Sequence, residues 1–341
     1  MKKISVIIPC YNVEKYISRC LDSLINQTIG FSEFIETICI NDCSTDGTLD
    51  VLKRYEGLYP DNFVIIPLSK NVGQGAARNI GTQYASGDYI DYLDADDFLA
   101  QGALKALYRY AKQNAADIVE YDFHVVKNHD ALPSDIKNGK KDYFIHIKSD
   151  SDRKKFIMSG NVLIACWNKF YRKDFITKNC LKYAEGVFGE ESLFTVMASM
   201  YCERYYKLQQ KYYYYYMNPQ STAHLLMSDI RRRDDYAKTW YALLLELNDR
   251  GLIYRFYDEI ALNFIANYLI RAVKYSVNRN LPIDLDTINI MENTISTFFP
   301  DIVENPYLLD MPNYVRALPY IGRELSAEEL DTAIACLASV E

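Results

Sequence analysis

Four short apolar runs alternating with helical stretches constrain this chain more than any other feature. The runs are Ser5–Ile8, Ile35–Ile40, Phe63–Pro67 and Tyr89–Leu93, all within the first 98 residues. Each is shorter than a stable helix and reads as a buried strand. Between them lie Val13–Gln27, with apolar residues at Val13, Ile17, Leu21 and Leu24, then Gly47–Tyr55, which Asp46 can cap, and Gly75–Ala85. Strands alternating with helices imply an α/β fold with a mostly parallel sheet covered on both faces. Ligands of such sheets bind beyond the carboxyl ends of the strands. Polar segments stand there: Pro9-Cys-Tyr-Asn12, Asn41-Asp-Cys-Ser-Thr-Asp46 and Asp94-Ala-Asp-Asp97.

The last of these crowds the carboxylates of Asp94, Asp96 and Asp97 at the end of one strand. Like charges packed that closely repel unless a cation sits among them. Oxygen-only ligands select a hard ion such as Mg²⁺ or Mn²⁺, which keeps positions open for phosphate oxygens. The cluster therefore suggests an enzyme that handles a nucleotide diphosphate. A plainer reading is that Asp97 caps a helix beginning near Leu99. A cap uses one carboxylate and leaves Asp94 and Asp96 unexplained.

Several function classes are disfavoured. A net charge of −7 argues against a general basic surface for nucleic acid. The eight cysteines are scattered with no Cys-x-x-Cys pair, and with four histidines no zinc pattern stands out. Free thiols in a reducing compartment follow. Lys2 and Lys3 precede an apolar run that Pro9 ends too early for a signal peptide, so it is read as the first strand. No stretch reaches the ~20 apolar residues that span a bilayer. The expected location is cytoplasmic, with peripheral contact at the inner face of the plasma membrane left open.

The rest of the chain is less regular. A helix (Ala103–Gln113) and a strand (Ile118–Val125) precede a polar loop from Lys127 to about Lys141. Trp167–Arg172, a helix over Glu190–Tyr201 and tyrosine-rich extended chain over Tyr205–Met217 follow. From about Ser228 the pattern is helical, with one stripe at Tyr236, Trp240, Leu243 and Leu247. In Tyr257–Lys274 the polar face narrows to Asp258, Glu259, Asn263, Asn267, Arg271 and Lys274. A helix that apolar is buried against something. The core of a small bundle, a homo-oligomer interface and a membrane surface would each serve.

The motifs in order are Ser5-Val-Ile-Ile-Pro-Cys-Tyr-Asn12, Asn41-Asp-Cys-Ser-Thr-Asp-Gly47, Asn71-Val-Gly-Gln-Gly-Ala-Ala-Arg-Asn-Ile-Gly81, Asp88-Tyr-Ile-Asp-Tyr-Leu-Asp-Ala-Asp-Asp97, Trp167-Asn-Lys-Phe-Tyr-Arg172 and Gly189-Glu-Glu-Ser-Leu-Phe194. Together they resemble the family 2 inverting glycosyltransferases with a GT-A fold, of the bacterial polysaccharide-synthesis type. The resemblance is strong over residues 1–98, fair over 167–224 and weak beyond. It implies a Rossmann-like, mostly parallel mixed sheet flanked by helices, with a C-terminal helical appendage. Residues 1–98 would form the nucleotide-sugar half, 99–225 the acceptor half and 226–341 the helical region.

The resemblance also implies roles. Pro9, Tyr11 and Asn12 would lie against uracil or ribose. Asp42 would accept a hydrogen bond from the base, or else form an Asx turn. Asp46 is as well explained as a helix cap. Arg78 would reach the base or the diphosphate, and Gly73 and Gly75 would allow close backbone approach. In Asp94-Ala95-Asp96, Asp96 would bind Mn²⁺ or Mg²⁺ directly, Asp94 would face the ribose or the metal's water shell, and Asp97 would support that shell or the donor sugar.

The family reads Glu-Asp-x-x-Phe at its catalytic base; here the segment is Glu190-Glu-Ser-Leu-Phe194, which puts Glu191 in the base position. Glutamate has a similar pKa, but its extra methylene moves the carboxylate by roughly 1 Å, a shift to which catalysis is sensitive. Either the site is remodelled, Glu190 contributes, or activity is low. Both glutamates also suit a helix N-terminus. Trp167 and Tyr212–Tyr216 would line the acceptor site or serve structure. His224 is read as structural. Arg231–Arg233 would meet a lipid-linked acceptor's phosphate or start a solvated helix.

The implied reaction is metal-dependent hexosyl or N-acetylhexosaminyl transfer from a UDP-sugar to a hydroxyl of a surface glycan or lipid-linked oligosaccharide. Two other readings stand beside it. A nucleotidyltransferase would carry a Gly-rich basic loop where Pro9-Cys-Tyr-Asn12 stands. A non-catalytic module for nucleotide sugars or glycans is favoured only by glutamate at position 191.

Overall fold

The central strand, β1 (Ile4–Cys10), is buried at every position except Pro9, so its run is continuously apolar rather than alternating. The computed structural model describes residues 2–127, 141–160, 164–221 and 229–340. His224 and most of the polar loop after Lys127 lie outside these residues. β1 pairs in parallel with β2 (Ile35–Asn41) on one side and with β4 (Tyr89–Tyr92) on the other, and β3 (Phe63–Pro67) extends the sheet beyond β2. The connecting helices are α1 (Ile17–Ile25), α2 (Phe31–Phe34), α3 (Thr48–Leu58) and α4 (Gln74–Tyr84). All seven residues of β2 are buried. Helix α1 begins four residues later than its apolar spacing suggests, and the Val13 N–H ahead of it donates to the Thr48 hydroxyl (2.9 Å).

Pro9 interrupts none of this pairing. The Ile7 carbonyl accepts the Leu93 N–H, the last bond on the β4 side, whereas the Cys10 carbonyl faces β2 and accepts from Asp42. Residues 7 and 9 point the same way, so the N–H that proline lacks would face a ladder that has already ended.

Beyond β4 the sheet mixes direction. β8 (Lys169–Arg172) runs antiparallel to β4, and β6 (Ile118–Val126) antiparallel to β8. The long β9 (Arg204–Tyr216) runs parallel to β6, with a register shift at Tyr121–Phe123. β5 (Phe98–Leu99) and β7 (Tyr143–His146) pair antiparallel with opposite ends of β9. The order is β3-β2-β1-β4-β8-β6-β9-β5, with β7 on β9. The strictly parallel part is thus β1 to β4, which ends at Tyr92. Helices α5 (Ala103–Asn114), α6 (Asp150–Met158), α7 (Lys173–Lys178) and α8 (Glu191–Tyr201) complete this region.

The plainer reading of Asp97 fails. Asp97 caps no helix, because Phe98 and Leu99 form β5 and α5 starts only at Ala103. Pairing with Tyr213 and Tyr214 claims the backbone that a helix at Leu99 would need.

The chain divides into two units: Met1–Gly186 with Glu190–His224, and Val187–Gly189 with Leu225–Glu341. The described part of the second unit is helical. Its longest helix, Ile230–Asp249, buries Trp240, Leu243 and Leu247. The apolar run from Tyr257 is α-helical to Phe264, makes a π-helical turn over Ile265–Ile270, and is α-helical again over Arg271–Val277. Phe264 stacks on Tyr268 and meets Trp240 and Phe299, so this stripe is core of its own unit. Arg233 is buried there, donating to Ser276 and the Pro282 carbonyl, while Arg231 is exposed and paired with Asp229. Among the described residues no helix is long and apolar enough to cross a membrane.

Candidate active site

The carboxyl ends of β1 and β2 are tied together by short polar side chains. Asn12 has φ +52°, a left-handed conformation that asparagine tolerates well. Its N–H donates to the Ser44 hydroxyl (3.1 Å), and its Oδ1 accepts the Thr45 N–H (2.8 Å). Asp46 accepts from the Glu14 and Thr48 N–H groups and from the Thr48 hydroxyl, so it anchors the start of α3. Asp42 is buried and accepts the N–H groups of Val72 (2.7 Å) and Gly73 (2.9 Å). It therefore fixes the loop that opens α4, where Gly73 has φ +84°. Tyr11, between Cys10 and Asn12, is 47% exposed.

The carboxylate turn follows β4. Its backbone closes through the Asp97 N–H to the Asp94 carbonyl (3.0 Å). Asp97 is buried and its carboxylate is fully engaged by β9: Oδ2 accepts the Tyr213 hydroxyl and Oδ1 the Tyr216 N–H, both at 2.6 Å. The Tyr213 oxygen in turn accepts the Asp94 N–H (3.3 Å). Asp96 Oδ2 accepts from Asn218 Nδ2 at 2.9 Å. Burial and the charge of Asp94 push the Asp96 carboxyl up to about 6 against the pull of the Asn218 bond. Ala95 is buried beneath the turn.

Among the described residues no group of three or more His, Cys, Asp or Glu forms a metal cage. A cation that bridges phosphates needs only one or two protein carboxylates. Asp96 fits that need: its oxygens are of the right type, and the like charge of Asp94 beside it makes a cation favourable.

Arg78 joins this turn to the glutamate pair. It is 2% exposed, with Nη2 on Asp94 Oδ1 (2.8 Å) and on Gln74 (3.2 Å), and Nη1 on Glu190 Oε1 (2.6 Å). Its Nε has no partner. The approach of α4 to this region requires glycine at position 75, where a Cβ would lie 2.0 Å from the Ala184 carbonyl and 3.0 Å from Glu190. The next residue of the motif, Asn79, exchanges hydrogen bonds with the Tyr183 backbone and reaches Glu185. Glu191 opens α8, half-buried, its Oε2 accepting the Cys166 N–H (3.4 Å). Burial, Glu190 and Asp94 push its carboxyl up to about 7, against the opposing pull of Arg78 and the Cys166 N–H.

Trp167 lies half-buried with its indole on Tyr213 (4.6 Å) and Tyr215 (5.5 Å) and edge-on to Phe123. The tyrosine strand divides by alternation. Tyr213 and Tyr215 face Trp167, whereas Tyr214 stacks on Phe98 and His124. Burial first, and then the charges of Asp97, Asp94, Asp96 and Glu191, raise the Tyr215 hydroxyl to about 12. Sequence reasoning missed Asn218, the Tyr213 hydroxyl and the Cys166 N–H. No local pattern links Asn218 to a carboxylate 122 residues away.

Comparison with known proteins agrees with this geometry. Residues 5–178 match the sequence profile of glycosyl transferase family 2. A Bacillus spizizenii poly(ribitol-phosphate) beta-glucosyltransferase is 45% identical over 117 residues, covering 34% of this chain and 18% of that protein. Staphylococcus aureus TarP, a poly(ribitol-phosphate) beta-N-acetylglucosaminyltransferase, is 32% identical over 231 residues, 66% of each chain. The matches thus take in less than two thirds of either relative. The crystal structure of S. aureus TarS 1–349 in complex with UDP-GlcNAc superposes with a TM-score of 0.76 at 24% identity, covering 99% of this chain and 91% of that one. The curled mixed sheet flanked by helices is the GT-A fold of that neighbour. With more than half its length matched by the profile, the chain belongs to glycosyl transferase family 2.

Proposed function

We propose that this protein transfers a sugar from a UDP-linked donor, with inversion, to a hydroxyl of an anionic surface polymer of the poly(ribitol phosphate) kind. One observation carries the reading. Arg78 bonds Asp94 of the carboxylate turn and Glu190, the residue before Glu191, so the carboxylate turn and the neighbour of the proposed base share one buried cation. The names of the Bacillus and staphylococcal relatives support the acceptor and the donor class, and their β-linkage is what inversion of an α-linked donor gives.

In this reading Tyr11, Asn12 and Asp42 shape the nucleotide end, and Asp96, aided by Asp94, would hold a divalent cation, which when bound would offset the charge on the leaving UDP. Glu191 takes the acceptor hydroxyl proton, the oxygen bonds to the anomeric carbon, and the bond to the diphosphate oxygen breaks with its electron pair leaving on UDP. A carboxyl poised near 7 suits a base that works at neutral pH. Trp167 and Tyr215 offer an aromatic wall beside Glu191, on which a sugar or polyol can lie. The reaction would take place on the cytoplasmic side, where nucleotide sugars are available.

The test is UDP release and product mass with UDP-GlcNAc or UDP-glucose, ribitol-phosphate polymer and Mn²⁺. One added sugar per UDP, absent in EDTA, supports the proposal. UDP binding with neither transfer nor hydrolysis would favour a non-catalytic nucleotide-sugar module.

A further inference from the structure

Asp91 lies on β4, 0% exposed, three residues before the carboxylate turn, and has no part in the chemistry above. Its Oδ1 is 3.0 Å from the Tyr121 hydroxyl, and its Oδ2 is buried without a partner. The same hydroxyl is 3.0 Å from the Trp167 carbonyl. A phenol has one proton to donate. Both contacts are hydrogen bonds only if a second proton sits on Asp91. The buried lysines of β8 and β9, Lys169 and Lys207, pair with Glu120 instead. An ionised Asp91 with one bare oxygen would be strongly disfavoured there. Burial accordingly pushes its carboxyl well above the usual range, against the pull of the Tyr121 bond.

What this pair holds is the backbone beside Glu191. Tyr121 and Asn168 exchange further bonds: the Tyr121 N–H donates to the Asn168 carbonyl (3.0 Å), and Asn168 Nδ2 donates to the Tyr121 carbonyl (3.2 Å). Trp167 is clamped between these bonds, and the N–H of its neighbour Cys166 is the one that meets Glu191.

We propose that Asp91 and Tyr121 are positioning residues for the proton transfer. A neutral Asp91 donates to Tyr121, Tyr121 donates to the Trp167 carbonyl, and this buried brace sets the Cys166 N–H against Glu191. The inference rests on Glu191 being the base. It gives a role to the aspartate in Asp88-Tyr-Ile-Asp91 and separates it in kind from Asp94 and Asp96, which act as anions.

The test compares Tyr121→Phe, Asp91→Leu and Asp91→Asn with wild type in Mn²⁺, reading kcat for UDP release, the acid limb of kcat/KM against pH, and UDP affinity by calorimetry. Tyr121→Phe and Asp91→Leu are expected to lower kcat about 5- to 50-fold while UDP binds within about two-fold of wild type. Their acid limb moves to higher pH, because the Cys166 N–H that lowers the Glu191 pKa is displaced. Asp91→Asn keeps a donor for Tyr121 and is expected to stay within about two-fold of wild type. A wild-type kcat and acid limb in Tyr121→Phe, or an Asp91→Asn variant as impaired as Asp91→Leu, overturns the brace. Glu191→Gln distinguishes the two levels: if it turns over normally, the base assignment fails and the brace with it. If it is inactive while Tyr121→Phe is normal, the brace alone fails.

Discussion

The nucleotide end and the reacting end of this site are built in opposite ways. At the ends of β1 and β2 the groups are short, Asn12 and Asp46 exposed and Asp42 buried, and their polar atoms are already spent on backbone N–H groups, as in Asn12 to Thr45, Asp46 to Thr48 and Asp42 to Val72. At the end of β4 and the start of α8 the groups are long or charged and mostly buried, and one arginine serves both Asp94 and Glu190. The first region fixes shape before a ligand arrives. The second raises the carboxyls of Asp96 and Glu191, by burial first and by neighbouring negative charge second, and suits a cation and a proton acceptor.

Substitutions at the reacting end should therefore be severe and specific. Glu191→Gln is expected to lower kcat by about 10²–10⁴-fold with UDP affinity unchanged, measured by UDP release and calorimetry. The pH dependence has a definite sign. The base must be ionised, so kcat/KM of the wild type rises with pH through about 7. Glu191 binds its proton more tightly folded than unfolded, so its contribution to stability is full below the unfolded value near 4.5 and is lost as pH rises through about 7. Asp96→Ala should lower kcat by about 10²–10³-fold and abolish the difference between Mn²⁺ and EDTA in nucleotide binding. Arg78→Met leaves Glu190 and Asp94 facing each other without their cation and is expected to destabilise the fold by about 3–5 kcal/mol in denaturant titration.

Changes at the nucleotide end should be mild and confined to binding. Asn12→Ala loses the two hydrogen bonds from Thr45 and a residue suited to positive φ, worth about 1 kcal/mol, or about five-fold in UDP affinity, with kcat retained. Asp46→Ala is expected to cost about 1 kcal/mol of stability as a lost helix anchor, with no effect on kcat/KM. A large kcat effect at either position would erase the contrast between the two regions.

The same contrast explains what the sequence discloses. The parallel half of the sheet is legible because each strand is a continuous apolar run between turn residues, and the motif residues sit at strand ends, where α/β sheets bind ligands. The second half is not. β5, β7 and β8 are two to four residues long, and distant pairing partners define them, Tyr214 for Phe98, Tyr206 for Phe144 and Ile90 for Tyr171. The carboxylate cluster itself was visible, but its division of labour was not. Only the contacts with Tyr213, Tyr216 and Asn218 show that Asp97 anchors β9 while Asp96 is left to a neutral partner. The pairing of Arg78 with Glu190 joins residues 112 positions apart, and a motif list cannot express it.

The most direct test is thermal denaturation with UDP, GDP and dTDP, each in Mn²⁺ and in EDTA, for the wild type and Asp96→Asn. The account predicts a raised Tm with UDP and Mn²⁺, largely lost in EDTA and in Asp96→Asn. Equal stabilisation by UDP with and without the cation, unchanged in Asp96→Asn, would contradict a site whose reacting end waits for positive charge.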